Sequence, residues 1–172
     1  MRPIDRRKLF KLATFFSAAP FLRAQANERV NYSDFKKDVP IAAVYHCDYG
    51  NPERFSQTLT NMSNHLSVYN NDPFKIKVVV VAHAQGVKFF LKDLDGLPPA
   101  WTADQFDREQ IFGRIKQLAS LGAEFYMCQI TFARNNIPPE KLREDSFLKW
   151  VPSGIAAVAE LQNIGYAYVK VG

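Results

Sequence analysis

Several residue patterns that mark well-known classes of protein are missing from this 172-residue sequence. It has only two cysteines, Cys47 and Cys128, and their spacing matches no zinc motif. Beyond the first 26 residues it has no Gly-x-Ser-x-Gly segment to present a nucleophilic serine. Residues 82–87 (AHAQGV) contain one glycine and no lysine, which argues against a phosphate-binding loop. We therefore expect no bound cofactor.

The positive charge of the chain is confined to its first 26 residues. This segment holds six of the 22 basic residues and one of the 17 acidic residues, which accounts for the formal charge of +5. Residues 27–172 therefore carry equal numbers of each sign and show no basic stripe. Since a polyanion requires a basic surface, we expect no nucleic-acid partner.

The same 26 residues have the three-part pattern of an export signal. A charged start precedes an apolar run, residues 12–22, and the small-x-small ending Ala24-Gln25-Ala26. Residues 5–11 (DRRKLFK) resemble a twin-arginine signal, although Asp5 replaces the usual Ser or Thr and the Phe-Leu order is reversed. The apolar run is shorter than the about 20 residues that span a bilayer. We expect cleavage near Asn27, a periplasmic location and no stable membrane span afterwards.

Strand and helix patterns alternate in the remainder of the chain. Residues 27–40 are polar and predict a linker or loose arm, and residues 41–172 predict one domain. Strands are predicted at 41–47, 74–83, 123–128, 149–151 and 166–171, and helical spacing at 55–69, 87–94, 111–119 and 155–161. This alternation predicts a three-layer α/β/α sandwich with a mostly parallel sheet of about five strands.

Polar residues follow the three strongest predicted strands. In open parallel sheets, ligands bind beyond the carboxyl ends of the strands, and neighbouring strands are about 4.8 Å apart. We therefore expect these polar side chains to share one small region at a single edge of the sheet. They are His46, Cys47 and Asp48 after the first strand, His83 and Gln85 after the second, and Cys128 and Gln129 after the third.

Cys128 is the sharpest candidate for a reactive group. A cysteine at a strand end that faces a helix N-terminus experiences the positive end of the helix dipole, which favours the thiolate. The thiolate is the form that reacts in persulfide formation, disulfide exchange and metal binding. The alternative is that Cys128 fills the end of a hydrophobic strand, because free cysteine is among the most buried residue types.

The other polar residues have less specific interpretations. Cys47 is a resolving partner, a disulfide mate for Cys128 or a core residue. His83 is a base, proton donor or ligand, or a hydrogen-bonded structural residue, and His46 has similar alternatives. His65 lies off the apolar stripe of its helix and is expected in solvent. A Cys47–His83–Cys128 metal site has suitable ligand types but lacks a fourth ligand, so no metal site is predicted.

Three segments of the chain are similar to the DsrE/DsrF-like family of small sulfur-relay proteins. They are residues 78–91 (VVVVAHAQGVKFFL), 122–137 (GAEFYMCQITFARNNI) and 151–172 (VPSGIAAVAELQNIGYAYVKVG). The most specific part is a glycine, an apolar strand and the strand-end Cys128, followed later by VPSG. This resemblance, over about residues 41–172, implies a three-layer parallel α/β fold, a trimer or hexamer, and a persulfide on Cys128 as some members carry.

The resemblance and the residues together predict a periplasmic sulfur carrier or sulfurtransferase. Cys128 would hold sulfane sulfur as a persulfide and relay it between donor and acceptor proteins or small sulfane-sulfur compounds. Two alternatives stay open: a non-catalytic binding or assembly subunit of an exported redox complex, and a Cys47–Cys128 thiol redox switch. The best-understood sulfur-relay members are cytoplasmic, whereas this chain carries an export pattern, and Cys47 matches no family motif.

Overall fold

A computed structural model describes residues 27–171 of the protein. The predicted signal peptide, residues 1–26, lies outside the described residues. Within the described part, no helix combines the length and the apolar character needed to cross a bilayer.

Five strands form one sheet in which all neighbouring pairs are parallel. The order across the sheet is β4-β3-β2-β1-β5, so the chain steps outward from β1 to β4 and then returns to the far side of β1. This confirms the predicted α/β class and the parallel sheet. The strands are β1 Ile41–Cys47, β2 Ile76–Ala82, β3 Glu124–Cys128, β4 Leu148–Val151 and β5 Ala167–Val169.

Two hydrophobic clusters lie on opposite faces of the sheet. The larger cluster packs under α1 (Pro52–Val68) and α3 (Arg108–Ser120), and the smaller one under α5 (Gly154–Asn163). Because successive side chains of a strand point to opposite faces, strands buried on both sides read as continuous apolar runs. The larger cluster takes Ala43, Tyr45, Val78, Val80, Phe125 and Met127 from the central strands, and the smaller takes Ala42, Val44, Val79, Val81 and Tyr126.

Helix α1 begins at a capping residue followed by proline. The Asn51 side chain accepts a hydrogen bond from the backbone amide of Arg54 at 2.8 Å, and Pro52 occupies the first helical position. Two short helices, α2 (Pro99–Thr102) and α4 (Gln129–Arg134), complete the α-helices of the described residues.

The helix predicted around residues 87–94 is instead a 3-10 segment, Ala84–Phe90. It starts at Ala84, whose φ of 47° lies in the left-handed region. It ends at Leu91, which returns to extended backbone and forms an antiparallel bridge with Leu142. The apolar residues of this segment are buried, as their spacing predicts, but the segment is a 3-10 connection and the predicted α-helix is wrong.

Residues 27–40, expected as a linker or loose arm, pack against the domain. The Trp150 amide donates to the Glu28 carbonyl at 2.7 Å, and the Val30 amide donates to the Trp150 carbonyl at 2.9 Å. These bonds cover the edge strand β4, whose outer backbone groups would otherwise be unpaired, because its other side pairs with β3. Val30 and Phe35 are buried in the smaller cluster, so two apolar side chains hold down a segment of polar composition.

Candidate functional site

The ends of β1, β2 and β3 meet at one edge of the sheet. Cys47 is paired in register with Ala82, and Ala82 with Met127, so these three residues form one row. His83 and Cys128 each lie one residue beyond that row. The backbone positions of most candidate residues are therefore close together. Whether two of their side chains can touch depends on whether they point to the same face of the sheet.

His46 and His83 contact each other directly. Their Nε2 atoms are 2.6 Å apart, and the rings are stacked with centroids 4.8 Å apart. The Nδ1 atom of His46 lies 2.8 Å from the hydroxyl oxygen of Tyr168, on the neighbouring strand β5. Burial lowers the pKa of both imidazoles, while nearby Asp48 acts in the opposite direction. The pair is thus held neutral and aligned by its surroundings.

Asp48 completes a cluster with the two histidines. One candidate ligand atom from each of His46, Asp48 and His83 lies within 4.8 Å of the others. The Lys170 ammonium is 3.0 Å from Oδ2 of Asp48. Burial opposes ionisation of this carboxyl, but its hydrogen bond with Lys170 brings the pKa below the usual value. The cluster therefore combines two neutral nitrogen donors with one carboxylate.

Cys128 lies beside this cluster, at the junction of β3 and two helices. It is the residue immediately before α4, and its residue-level exposure is 4%. A Cβ atom placed on Gly154, the first residue of α5, would lie 3.1 Å from Cys128 Cβ and 2.9 Å from His83 Cβ. Only glycine fits this point without a shift of its neighbours. Cys128, His83 and the N-terminus of α5 therefore share one site, on the α5 face of the sheet.

Cys47 lies on the opposite face. It is fully buried in the larger cluster, and a Cβ on Gly86 would come within 2.8 Å of its Sγ atom. Burial raises the pKa of the Cys47 thiol, which keeps it protonated.

This placement contradicts both roles that joined Cys47 to Cys128. Strand β2 lies between their strands, which puts their Cα atoms about 10 Å apart, beyond the about 7 Å limit for a disulfide. Both thiols are free. The resolving-partner and disulfide-mate interpretations of Cys47 are therefore wrong, and so is the Cys47–His83–Cys128 ligand set.

Two further polar residues, Gln85 and His65, contact groups outside the histidine pair. Gln85 packs against the loop after β1, where a Cβ on Gly50 would be 3.0 Å from Gln85 Cβ. His65, expected in solvent, is half-buried, and its Nδ1 atom lies 3.0 Å from the Tyr45 hydroxyl. That expectation failed because a long side chain from the sheet reaches beyond the apolar stripe of α1.

Several site residues had no role in the sequence-based prediction. Asp48 stood among the polar residues at the strand end, and the structure places its carboxylate near both histidines. Tyr168 and Lys170 come from the last strand and its extension, and they reach the site because β5 pairs with β1. The VPSG segment was a usable signal for Gly154, since Ser153 caps α5 by accepting a hydrogen bond from the Ala156 amide.

Comparison with known proteins places this geometry in context. The model of the DsrE/DsrF-like family matches residues 43–171 of the chain. No curated protein matches. Among solved structures, a protein of unknown function from Methanobacterium thermoautotrophicum, MTH1491, superposes with a TM-score of 0.60 at 21% sequence identity. The match covers 76% of this chain and 98% of that chain. At this identity the likeness concerns the fold.

Proposed function

This chain belongs to the DsrE/DsrF-like family, and we propose that it is a sulfur carrier in which Cys128 holds sulfane sulfur as a persulfide. The family suggests a role related to sulfur relay, and it implies partners that donate or accept sulfur. The assignment of the persulfide to Cys128 rests on one observation. Of the two cysteines, Cys128 is the one on the α5 face, beside His83 and the start of a helix.

The start of α5 supports an anion at this position. The first-turn amides of a helix have no carbonyl acceptor within the helix, and the N-terminus carries about half a positive charge. The Ala156 amide is capped by Ser153, which leaves the amides of Gly154 and Ile155 without an intrahelical acceptor. A thiolate or persulfide anion on Cys128 would be stabilised by this positive end.

The transfer needs no external oxidant or reductant. The Cys128 thiolate attacks the outer sulfur of a donor persulfide, R–S–S⁻. The donor S–S bond breaks, a Cys128 persulfide forms and R–S⁻ leaves. An acceptor thiolate then attacks the outer sulfur of that persulfide and releases the Cys128 thiolate. Whether the chain acts as a carrier or as a sulfurtransferase depends on turnover of this cycle.

Apolar side chains beside Cys128 support a protein partner. Ile130 is 41% exposed and Ile155 is 60% exposed, and they follow closely after Cys128 and Gly154 in α4 and α5. The Ile130 amide also donates to the Pro152 carbonyl at 3.4 Å, which brings α4 next to the start of α5. A donor or acceptor protein that covers these residues would reach Cys128 and shield the persulfide from water. Assembly into a trimer or hexamer is part of the same proposal.

The proposed compartment is the periplasm, reached by the twin-arginine route. Its support is the charged start, the Arg6-Arg7 pair and the apolar run of residues 12–22. A periplasmic carrier would need a donor and an acceptor in that compartment.

Intact mass spectrometry tests the persulfide directly. The reduced protein is incubated with polysulfide, desalted and weighed. We expect a gain of about 32 Da, one sulfur atom, on the wild type. Cys128→Ser should abolish this gain. Cys47→Ser is the matched control and should retain it, because Cys47 is buried on the other face.

Two results would contradict the proposal: no adduct on the wild type, or an adduct that persists in Cys128→Ser. If Cys128→Ser also left the co-purifying partners unchanged, the protein would fit the alternative role of a non-catalytic assembly subunit. The exposed Ile130 and Ile155 are the observation that favours this second candidate.

A further inference from the structure

We propose that His46, Asp48 and His83 form a binding site for a divalent transition-metal ion that does not use the neighbouring thiol of Cys128 as a ligand. One ring nitrogen from each histidine and a carboxylate oxygen converge at the carboxyl edge of the sheet, all within 4.8 Å of one another. This is the two-histidine, one-carboxylate donor set that leaves other coordination positions open.

The contact between the imidazoles brings two nitrogen donors to one point. At 2.6 Å the two Nε2 atoms are within hydrogen-bond distance, so without a metal one ring donates its Nε2 proton to the lone pair of the other. Tetrahedral zinc with bonds of about 2.0 Å holds two nitrogens about 3.3 Å apart. Entry of a metal therefore needs the rings to separate by less than about 1 Å, and His83, which is only half-buried, is the ring with room to move.

Tyr168 orients one of the two ligands. Its hydroxyl lies 2.8 Å from Nδ1 of His46 and can accept a hydrogen bond from a proton on that nitrogen. A proton on Nδ1 leaves the lone pair of the neutral imidazole on Nε2, directed at His83. Metal-binding histidines usually have a second hydrogen bond of this kind, which sets the tautomer and the ring orientation.

Asp48 supplies the third donor and compensates charge. Lys170 occupies one carboxylate oxygen at 3.0 Å, and a carboxylate has a second oxygen available. Imidazole donors suit zinc, copper, iron and nickel, whereas calcium and magnesium prefer oxygen ligands alone. The site therefore favours ions such as Zn²⁺ and Co²⁺.

Cobalt titration of the full chain tests this site. The protein is stripped with chelator and titrated with Co²⁺, and the absorption spectrum and the metal content are measured. We expect one Co²⁺ per chain, displaced by Zn²⁺. His83→Ala should weaken binding at least tenfold, and Tyr168→Phe by about tenfold. His65→Ala is the matched control and should bind as the wild type does.

Other variants separate this site from alternatives. Asp48→Asn is a second ligand variant at a half-buried position, in case His83→Ala disturbs folding as judged by circular dichroism. Cys128→Ser should leave cobalt binding unchanged, and the wild-type spectrum should lack a thiolate-to-cobalt charge-transfer band. Less than one ion per chain, or equal weakening by His65→Ala and His83→Ala, would overturn the proposal. Persulfide formation on Cys128 is measured separately, so either proposal can fail alone.

Discussion

At the scale of single residues, one step in register separates the two cysteines. Both residues end a parallel strand, and both are almost completely buried. Cys47 follows Ala43 and Tyr45 in the alternation of β1 and belongs to the larger cluster. Cys128 follows Tyr126 and points to the α5 face. Because side chains alternate along a strand, a shift of one residue in either strand would move its cysteine to the opposite face of the sheet.

Tyr45 shows how burial controls an ionisable group at this scale. Burial raises the pKa of Tyr45 from 10.0 to about 12. The neutral phenol therefore contributes stability that is fully present below pH 10 and is lost as the pH rises towards 12. We expect the free energy of unfolding of Tyr45→Phe to fall less than that of the wild type between pH 9 and 12, by about 1–2 kcal/mol.

Urea unfolding at each pH measures this difference. Below pH 9 the two proteins should differ by a constant offset, since the substitution also removes the hydrogen bond with His65. Parallel curves up to pH 12 would show that Tyr45 titrates as it does in the unfolded chain.

At the scale of elements, the start of α5 is the most constrained point of the site. The Ser153 amide donates to the Tyr32 hydroxyl at 2.8 Å, and that hydroxyl donates to the Ser153 carbonyl at 3.0 Å. The N-terminal segment thus fixes the residue that caps α5. Gly154 then brings the helix against β2 and β3 with no side chain between them. The helix start and the two strand ends behave as one unit.

Two glycine substitutions test this close contact. In Gly154→Ala the new methyl group would meet His83 and Cys128, so we expect a loss of about 1–3 kcal/mol of stability and weaker loading at the site. Gly113→Ala is the control: this exposed position of α3 has nothing within 4 Å of the added Cβ. It should gain about 0.5–1 kcal/mol through helix propensity. Urea unfolding measures both, and a stabilised Gly154→Ala would argue against the tight junction.

At the scale of the whole molecule, the excess positive charge and the candidate reactive groups lie in different parts of the chain. The excess positive charge lies in residues 1–26, and the remainder has balanced charges. Within the described residues, the histidine cluster, Cys128, and the exposed Ile130 and Ile155 lie at the carboxyl edge of the sheet. A parallel sheet produces this arrangement because all of its strands end at the same edge. One edge is therefore available for ligands and partners.

The predicted export of the protein depends on the Arg6-Arg7 pair. Replacing both Arg6 and Arg7 by lysine should leave the unprocessed chain in the cytoplasm, because the twin-arginine route requires the arginine pair. Cell fractionation and the intact mass of the periplasmic protein measure the effect. Arg2→Lys, outside the pair, is the matched control and should be exported and cleaved near Asn27. A periplasmic, processed double-lysine chain would count against this route.

Local sequence patterns were sufficient to predict most strands and helices, but they did not predict which distant segments pack against each other. The continuous apolar runs predicted β1, β2 and β3, and the helical spacing at 55–69 predicted the helix that is α1. The same reasoning misassigned residues 87–94, because apolar spacing reports burial and does not distinguish an α-helix from a 3-10 connection. It also missed the packing of Val30 and Phe35, whose partners are distant in the chain.

The amino-acid sequence by itself determined the α/β class, the family resemblance and the strand ends at which polar residues gather. These follow from local periodicity and from the common direction of parallel strands. Only the tertiary structure decided that Cys47 and Cys128 lie on opposite faces and that Tyr168 reaches His46. The reason is physical: strand order and side-chain parity depend on packing between segments far apart in the chain, such as β1 and β5.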